Sequence, residues 1–241
     1  MILQVRNLTG GYTKNHDILR GISFDISKGD AVGIIGLNGS GKSSLAKALM
    51  NILPYRQGQI LFNGENISKN TTKELSKKGI ALYMQGGRVF DELTMWENML
   101  IAEPNGNEEN IERIRNLFPP LRLSKSKLKR MGADKLSGGE RSSLALSLAM
   151  CVLRNPQLLI LDEPSAGLAP HIVNEMYESL NKIYQEEKLS IILIEQNIAR
   201  CVEFCSTVNM LRNGKIVYSS DNKDIKDFEK VMFNYCCCVN F

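Results

Sequence analysis

The sequence lacks a long apolar run, a strong charge imbalance and cysteines in a C-x-x-C pair. A membrane-spanning helix needs about 18 consecutive apolar residues, and no run in this chain approaches that length, so we expect no transmembrane segment. The formal net charge of +4 gives no support to a clustered basic face, so we expect no nucleic-acid partner. The six cysteines include no C-x-x-C pair, and the consecutive Cys236, Cys237 and Cys238 receive no assigned function.

Composition and periodicity indicate an ordinary globular protein with an inserted subdomain. The residues are 43% hydrophobic and 23% charged, and the amino-terminal residues show no signal-peptide pattern, so we expect a cytoplasmic location. The pattern is strand-rich in both halves and helical between them. We therefore predict a nucleotide-binding core of about 1–84 and 136–241, with a helical subdomain of about 85–135.

Apolar periodicity also predicts individual elements. Two strands are expected at Ile2 to Arg6 and at Ile18 to Ile26. Helices are expected at Ser142 to Leu153 and at Pro170 to Glu187, and a closing polar helix at Asp221 to Asn234.

The segment from Gly36 to Ser43 fits G-x-x-x-x-G-K-[ST], the phosphate-binding loop. An apolar strand precedes it and a helix follows it, which is the order that the motif requires; an accidental glycine-rich turn is the alternative. Backbone N–H groups would surround phosphate oxygens, Lys42 would contact the β- and γ-phosphates, and Ser43 would bind Mg²⁺. The nucleotide-binding residues expected here are Gly36, Asn38, Gly39, Ser40, Gly41, Lys42, Ser43 and Ser44.

A second motif places two acids at the end of an apolar run. Leu158 to Leu161 read as a buried strand, and Asp162 and Glu163 follow it. In a phosphate-loop protein, Asp162 would hold Mg²⁺ and Glu163 would act as general base toward water. The alternative is that these acids only begin the next turn.

Two further features are ambiguous on the residues alone. Tyr12 lies in a turn ahead of the phosphate loop, where an aromatic ring can stack on adenine, although a lone tyrosine in a turn more often packs. His16 in the same turn is interpreted as a surface residue. Ser137, Gly138, Gly139 and Glu140 expose N–H groups at a helix start, which is a natural anion site but also a common turn.

Taken together and in order, the phosphate loop, Gln85 after a strand, S-G-G-E and the apolar run ending in Asp-Glu resemble the ATP-binding cassette (ABC) ATPases across essentially the whole chain. The resemblance implies an α/β phosphate-loop core with an N-terminal antiparallel β-subdomain and an inserted α-helical subdomain. It makes Tyr12 the adenine-stacking aromatic and Gln85 the glutamine that senses Mg²⁺ and the membrane subunits. It makes Glu163 the catalytic carboxylate and Ser137 to Glu140 the signature sequence.

The same resemblance implies the partners. The signature sequence of one chain would close over ATP bound to the other chain of a dimer, either a homodimer or a pair with a paralogous ATPase subunit. Separate transmembrane permease subunits would carry the substrate pathway. The ATPase would then be peripheral on the cytoplasmic face of the cell membrane.

Departures from the broad family point to a subgroup. Ala169 stands where the family usually has aspartate, and Gln196 stands where it usually has the switch histidine. Both changes resemble the subgroup that imports branched-chain amino acids, or urea and short amides. The helix after the signature sequence is poorer in Gln and Arg than is usual. We expect Gln196 to orient the γ-phosphate and water after Glu163.

The predicted function is an ATPase subunit of a transporter, with ATP and Mg²⁺ as ligands. Two alternatives remain open from the sequence. One is a soluble, non-transport cassette protein that acts as an ATP-driven switch, although such proteins usually carry two cassettes or long insertions. The other is a regulatory module that binds ATP without hydrolysing it, against which the intact Glu163 argues.

Overall fold

A computed structural model describes residues 1–103, 105–152 and 156–221 of the chain. Asp221, the expected first residue of the closing helix, instead ends a strand that begins at Lys215. The rest of that helix, the Cys236 to Cys238 run and the expected end of a helix at Leu153 lie outside the described residues.

The described strands form two sheets. The strands are β1 Leu3–Gly11, β2 Leu19–Ile26, β3 Ala31–Ile35, β4 Tyr55–Phe62, β5 Glu65–Asn66, β6 Ile80–Tyr83, β7 Leu158–Asp162, β8 Ser190–Glu195, β9 Thr207–Arg212 and β10 Lys215–Asp221. A four-stranded antiparallel sheet has the order β2-β1-β4-β5. A six-stranded sheet has the order β10-β9-β3-β8-β7-β6 and is parallel except for the β9–β10 hairpin.

Sequence pattern explains why the two sheets differ. In β2, buried Leu19, Ile22, Phe24 and Ile26 are separated by exposed residues, as in a sheet with one solvated face. By contrast β3, β7 and β8 are buried along their whole length, which parallel strands covered on both faces require. The antiparallel sheet can therefore lie at the surface, while the parallel sheet forms the centre of the molecule.

The helices surround the parallel sheet, and those of the expected insertion pack against α6. Helices α3 and α4 contact α6, and their buried side chains, including Trp96 and Ile111, belong to the same apolar cluster as Leu159 and Leu193 of the sheet. The helices are α1 Lys42–Leu49, α2 Thr72–Lys77, α3 Met95–Ala102, α4 Glu108–Arg115, α5 Lys125–Leu128, α6 Gly138–Cys151, α7 Pro170–Glu187 and α8 Ile198–Phe204.

The expected α/β fold, with an N-terminal antiparallel sheet and a helical insertion, is confirmed. Within the described parts of the chain, no helix is long and apolar enough to cross a membrane. The predicted bounds of α7 agree with the structure.

Other predicted bounds were wrong for identifiable reasons. Strand β1 continues to Gly11, beyond the predicted Arg6. It passes Gly10, where a Cβ would lie 2.3 Å from the Tyr55 carbonyl oxygen of the neighbouring strand. Helix α6 begins at Gly138 instead of Ser142, because the Ser137 side chain and Glu140 form a capping box that starts the helix early.

Candidate functional site

The carboxyl ends of four parallel strands meet at one edge of the central sheet. Strand β3 leads into the phosphate loop, defined as residues 36–43, while β6, β7 and β8 lead to Gln85, Glu163 and Gln196. The register brings Ile35 opposite Glu195 and Asp162 opposite Ile194. Open α/β sheets bind ligands at this edge, so the topology explains why residues far apart in sequence lie together.

The phosphate loop curls tightly and holds its lysine inward. Gly39 and Gly41 have φ values of 78° and 108°, which side chains with a Cβ rarely adopt. The Lys42 side chain is only 4% exposed, and its Nζ donates to the carbonyl oxygens of Gly36 at 2.9 Å and Leu37 at 3.2 Å. The ammonium is thus positioned within the loop that would surround a phosphate.

Ser43 and Asp162 form an oxygen pair beside this lysine. Ser43 Oγ donates to Asp162 Oδ1 at 3.1 Å. Burial raises the pKa of Asp162, and the hydrogen bond from Ser43 opposes that rise. A hydroxyl and a carboxylate are the hard oxygen ligands that Mg²⁺ prefers, with phosphate oxygens and water completing its shell. The described residues include no cluster of three or more His, Cys, Asp or Glu that could hold a metal without such help.

Glu163 is the best-connected carboxylate of the site. Its Oε1 lies 3.2 Å from Lys42 Nζ, and its Oε2 accepts from Gln85 Nε2 at 3.0 Å. Gln196 Nε2 donates to both oxygens, at 2.8 and 2.9 Å. Glu163 is 5% exposed and has a φ of 47°, unusual for a residue other than glycine. One cation and two amides therefore hold a buried carboxylate beside the phosphate loop.

A cavity of about 520 Å³ opens over these groups, within the range of small-molecule sites. Many of the residues expected to act on a nucleotide line it. The expected residues that do not line it are Tyr12, Gly36, Ser40, Asp162, Ser137, Gly138, Gly139 and Glu140. The lining residues are His16, Ile18, Asn38, Gly39, Gly41, Lys42, Ser43, Ser44, Gln85, Glu163 and Gln196. The interpretation of His16 as a plain surface residue was therefore incomplete, and Ile18 was missed.

Tyr12 lies beside the cavity and does not line it. Its side chain is 46% exposed, which does not fit the alternative of a packing residue. Its hydroxyl accepts a hydrogen bond of 2.9 Å from Lys47 Nζ, on the turn of α1 that follows Ser43. Lys47 was not singled out from the sequence, and its helical spacing from Ser43 is the signal that could have found it.

The signature turn, defined as Ser137 to Glu140, is not part of this cavity. Ser137 caps α6: its Oγ accepts from the Glu140 N–H at 3.3 Å, and its own N–H donates to Glu140 Oε2 at 3.0 Å. A Cβ on Gly139 would lie 2.9 Å from the Ile172 side chain, so α6 packs closely on α7 here. Within one chain, the predicted site residues therefore separate into two groups.

Helix α6 nevertheless contacts the strand and loop on either side of Gln85. Tyr83 Oη lies 3.2 Å from Ser142 Oγ, and Arg141 forms a 2.6 Å ion pair with Asp91. Asp91 belongs to the segment after Gln85. These contacts connect the helix that begins at the signature turn to the chain on either side of Gln85.

Comparisons with known proteins show which family the chain is similar to. The family described as ABC transporter matches residues 19–166. The chain is 34% identical to the probable branched-chain amino acid transport ATP-binding protein LivF of Archaeoglobus fulgidus, covering 95% of this chain and 96% of that protein. It is 33% identical to the high-affinity branched-chain amino acid transport ATP-binding protein BraG of Pseudomonas aeruginosa, covering 83% and 84%. A solved ATP-binding cassette of an ABC transporter in its ADP conformation superposes with a TM-score of 0.82 at 27% identity, covering 98% of each chain.

Proposed function

This chain belongs to the ABC transporter family, and on that premise we propose that it drives import of branched-chain amino acids or related small polar solutes. As a member of the family it is an ATP-binding subunit of a transporter and hydrolyses ATP to ADP and phosphate. The family comparisons favour this function over the soluble switch that the sequence left open. The observation that carries the catalytic assignment is the convergence of Lys42, Gln85 and Gln196 on Glu163.

The polar groups at and beside the cavity have roles that their chemistry supports. The phosphate-loop N–H groups and Lys42 bind the triphosphate. Ser43 and Asp162, with Gln85 nearby, would hold Mg²⁺, which when bound supplies positive charge to the phosphate oxygens. Glu163 accepts a proton from the attacking water as general base. Gln196 donates to the γ-phosphate and accepts from that water.

A second ATPase chain completes the site. Among the described residues, Lys42 is the one lysine or arginine that lines the cavity, and the signature turn of the same chain does not line it. The N-terminus of α6 from a second chain would supply N–H donors and the Ser137 hydroxyl to the γ-phosphate. ATP would then hold the dimer together, whether the second chain is identical or paralogous.

Membrane subunits provide the route for the solute. The described residues contain no helix able to span a membrane, so permease subunits would form that route and this chain would bind them on the cytoplasmic face. The assignment of the solute is supported by the names of the relatives, which are branched-chain amino acid transport proteins. Ala169 and Gln196 support the same subgroup.

Two experiments test the proposal. Phosphate release should require ATP and Mg²⁺, should stop with a chelator, and should fall strongly in Lys42→Ala, which removes the ammonium that faces the phosphates. Uptake of labelled leucine and of labelled urea should then be compared in cells with and without the gene. Loss of leucine uptake alone supports the amino-acid assignment, whereas unchanged leucine uptake contradicts it.

A further inference from the structure

We propose that Glu195 is a positioning residue for hydrolysis, because its buried carboxylate ties together the two loops that orient Glu163. The inference rests on the proposed role of Glu163 as general base. Glu195 is the last residue of β8 and is 2% exposed. It does not line the cavity, so it acts through its neighbours and not on the nucleotide.

The carboxylate of Glu195 accepts hydrogen bonds from three segments of the chain. Its Oε1 accepts from the Ser165 hydroxyl at 2.6 Å, from the Ser165 N–H at 3.3 Å and from the Tyr177 hydroxyl at 3.1 Å. Its Oε2 accepts from the Gln196 N–H at 3.1 Å. The partners lie in the loop after β7, in α7 and at the end of β8.

Two of those segments are connected directly to Glu163. Ser165 follows Glu163 by two residues in the chain, and the Gln196 side chain donates to both oxygens of Glu163. The Glu163 N–H is itself bonded to the Ile194 carbonyl oxygen at 2.9 Å. Glu195 therefore fixes the loop that carries the base and also the backbone of the amide that holds the base.

The backbone of Glu163 needs such support. A φ of 47° places a residue with a Cβ in the left-handed region, and this conformation persists only where the surrounding structure enforces it. The Ser165 bonds to Glu195 hold the chain just after that position. Losing them would let the loop relax and would move the carboxylate away from its place over the phosphate loop.

The chemistry of a carboxylate is essential to this arrangement. An ionised carboxylate only accepts, with room for the four donors present. A glutamine of the same size would turn one oxygen into an N–H₂ donor that faces either the Gln196 N–H or the donors of Ser165 and Tyr177. A main-chain N–H cannot reverse its role, so Glu195→Gln loses at least one bond while keeping its volume.

The test compares Glu195→Gln with Glu103→Gln. Glu103 is likewise buried, at 5% exposed, and accepts from Asn110 Nδ2 at 2.5 Å and from the Asn105 N–H at 3.3 Å. Neither Glu103 nor these partners line the cavity. We expect Glu195→Gln to lower kcat roughly tenfold with the KM for ATP almost unchanged. Glu103→Gln should lower the unfolding temperature without changing kcat.

A second pair of variants isolates the link to Ser165. Ser165→Ala removes the hydroxyl that makes the 2.6 Å bond and should lower kcat in the same direction. If both side chains act through that bond, the double variant should be no slower than the slower single variant. Ser165→Ala also provides the test if Glu195→Gln fails to fold.

The outcomes separate this inference from the function on which it rests. Equal kcat for Glu195→Gln and Glu103→Gln would overturn the positioning role, as would independent, multiplying losses in the double variant. A rise in KM as large as the fall in kcat would also overturn it, since nucleotide binding would then be the affected step. Full activity in Glu163→Gln would instead overturn the general-base role itself.

Discussion

The phosphate loop and the signature turn are both glycine-containing helix starts, yet they treat their N–H groups differently. Helix α1 begins after Gly41 with no side-chain cap, so its first N–H groups remain free for an anion. Helix α6 begins with a complete capping box in which Ser137 and Glu140 satisfy each other. The first start is prepared to bind phosphate alone, whereas the second has fewer free donors and suits an auxiliary role on a triphosphate that another chain already holds.

The largest effect is expected at Glu163. It tests whether the residues around the cavity carry the chemistry, as opposed to the signature turn. Glu163→Gln keeps the shape of the side chain and removes its basicity, so phosphate release should fall by about 10²- to 10⁴-fold. ATP should still bind, and ATP-bound dimers should accumulate in light scattering. Near-normal phosphate release would remove Glu163 from its proposed role and leave the cavity as a binding site only.

A smaller effect is expected at Gln196. It distinguishes a role in positioning the base, Glu163, from a role in nucleotide binding. Gln196→Ala should lower turnover roughly tenfold and change nucleotide affinity little, because its hydrogen bond matters most as charge moves in the transition state. Gln196→His should stay active and can add a titration near the usual histidine pKa of about 6.5. Turnover and calorimetric affinity, measured on the same samples, distinguish these two roles. Unchanged turnover in the alanine variant would mean that Gln196 has no role in catalysis.

The signature turn should respond in a different manner. Ser137→Ala removes a helix cap worth about 1 kcal/mol of unfolding free energy. It also removes the hydroxyl that would contact the nucleotide bound to the second chain. We expect normal ATP affinity in the monomer and several-fold lower turnover.

Thr71→Ala is the matched control for Ser137→Ala. Thr71 and Glu74 form the same kind of capping box at the start of α2. Its loss should cost similar stability and leave turnover unchanged. If both variants slowed turnover equally, the effect at Ser137 would be one of stability, and the contrast between the two helix starts would have no functional meaning.

The smallest effect is expected at Tyr12, which lies beside the cavity. Removing an aromatic contact in Tyr12→Ala should weaken ATP binding by about 1 kcal/mol and leave kcat unchanged. Tyr12→Phe keeps the ring and loses the hydroxyl, with its hydrogen bonds to Lys47 and Ser44, so it should retain most of the affinity. Calorimetry with both variants assigns the contribution to the ring or to the hydroxyl, and unchanged affinity in the alanine variant would exclude stacking.

The parts of the site that could be predicted from the sequence are those formed by residues close together in the chain. The phosphate loop and the Asp162–Glu163 pair are local patterns with fixed chemistry, so the sequence indicated both and the central parallel strands around them. The bounds of α7 were also predictable, because its amphipathic pattern is long and Pro170 marks its start.

The contacts that could not be predicted depend on pairings across the fold. Glu195 follows a buried strand in much the same way as Asp162 does, but its partners Ser165 and Tyr177 become neighbours only when β7 and β8 pair. His16 and the phosphate loop line the same cavity, although more than twenty residues separate His16 from Asn38 in the chain. The early start of α6 was missed because S-G-G reads as a turn unless Glu140 is recognised as the other half of the cap.

The ion pair between Lys42 and Glu163 makes nucleotide binding an exchange of partners. In this structure the ammonium that should hold phosphate is paired with the carboxylate that should activate water. An incoming γ-phosphate must compete with Glu163 for that ammonium, so the base is released only when its substrate has arrived. In Glu163→Gln the competitor has lost its charge, and ATP should bind more tightly for a reason unrelated to slow hydrolysis. Affinity for a non-hydrolysable ATP analogue, measured in both proteins, gives the size of that competition directly.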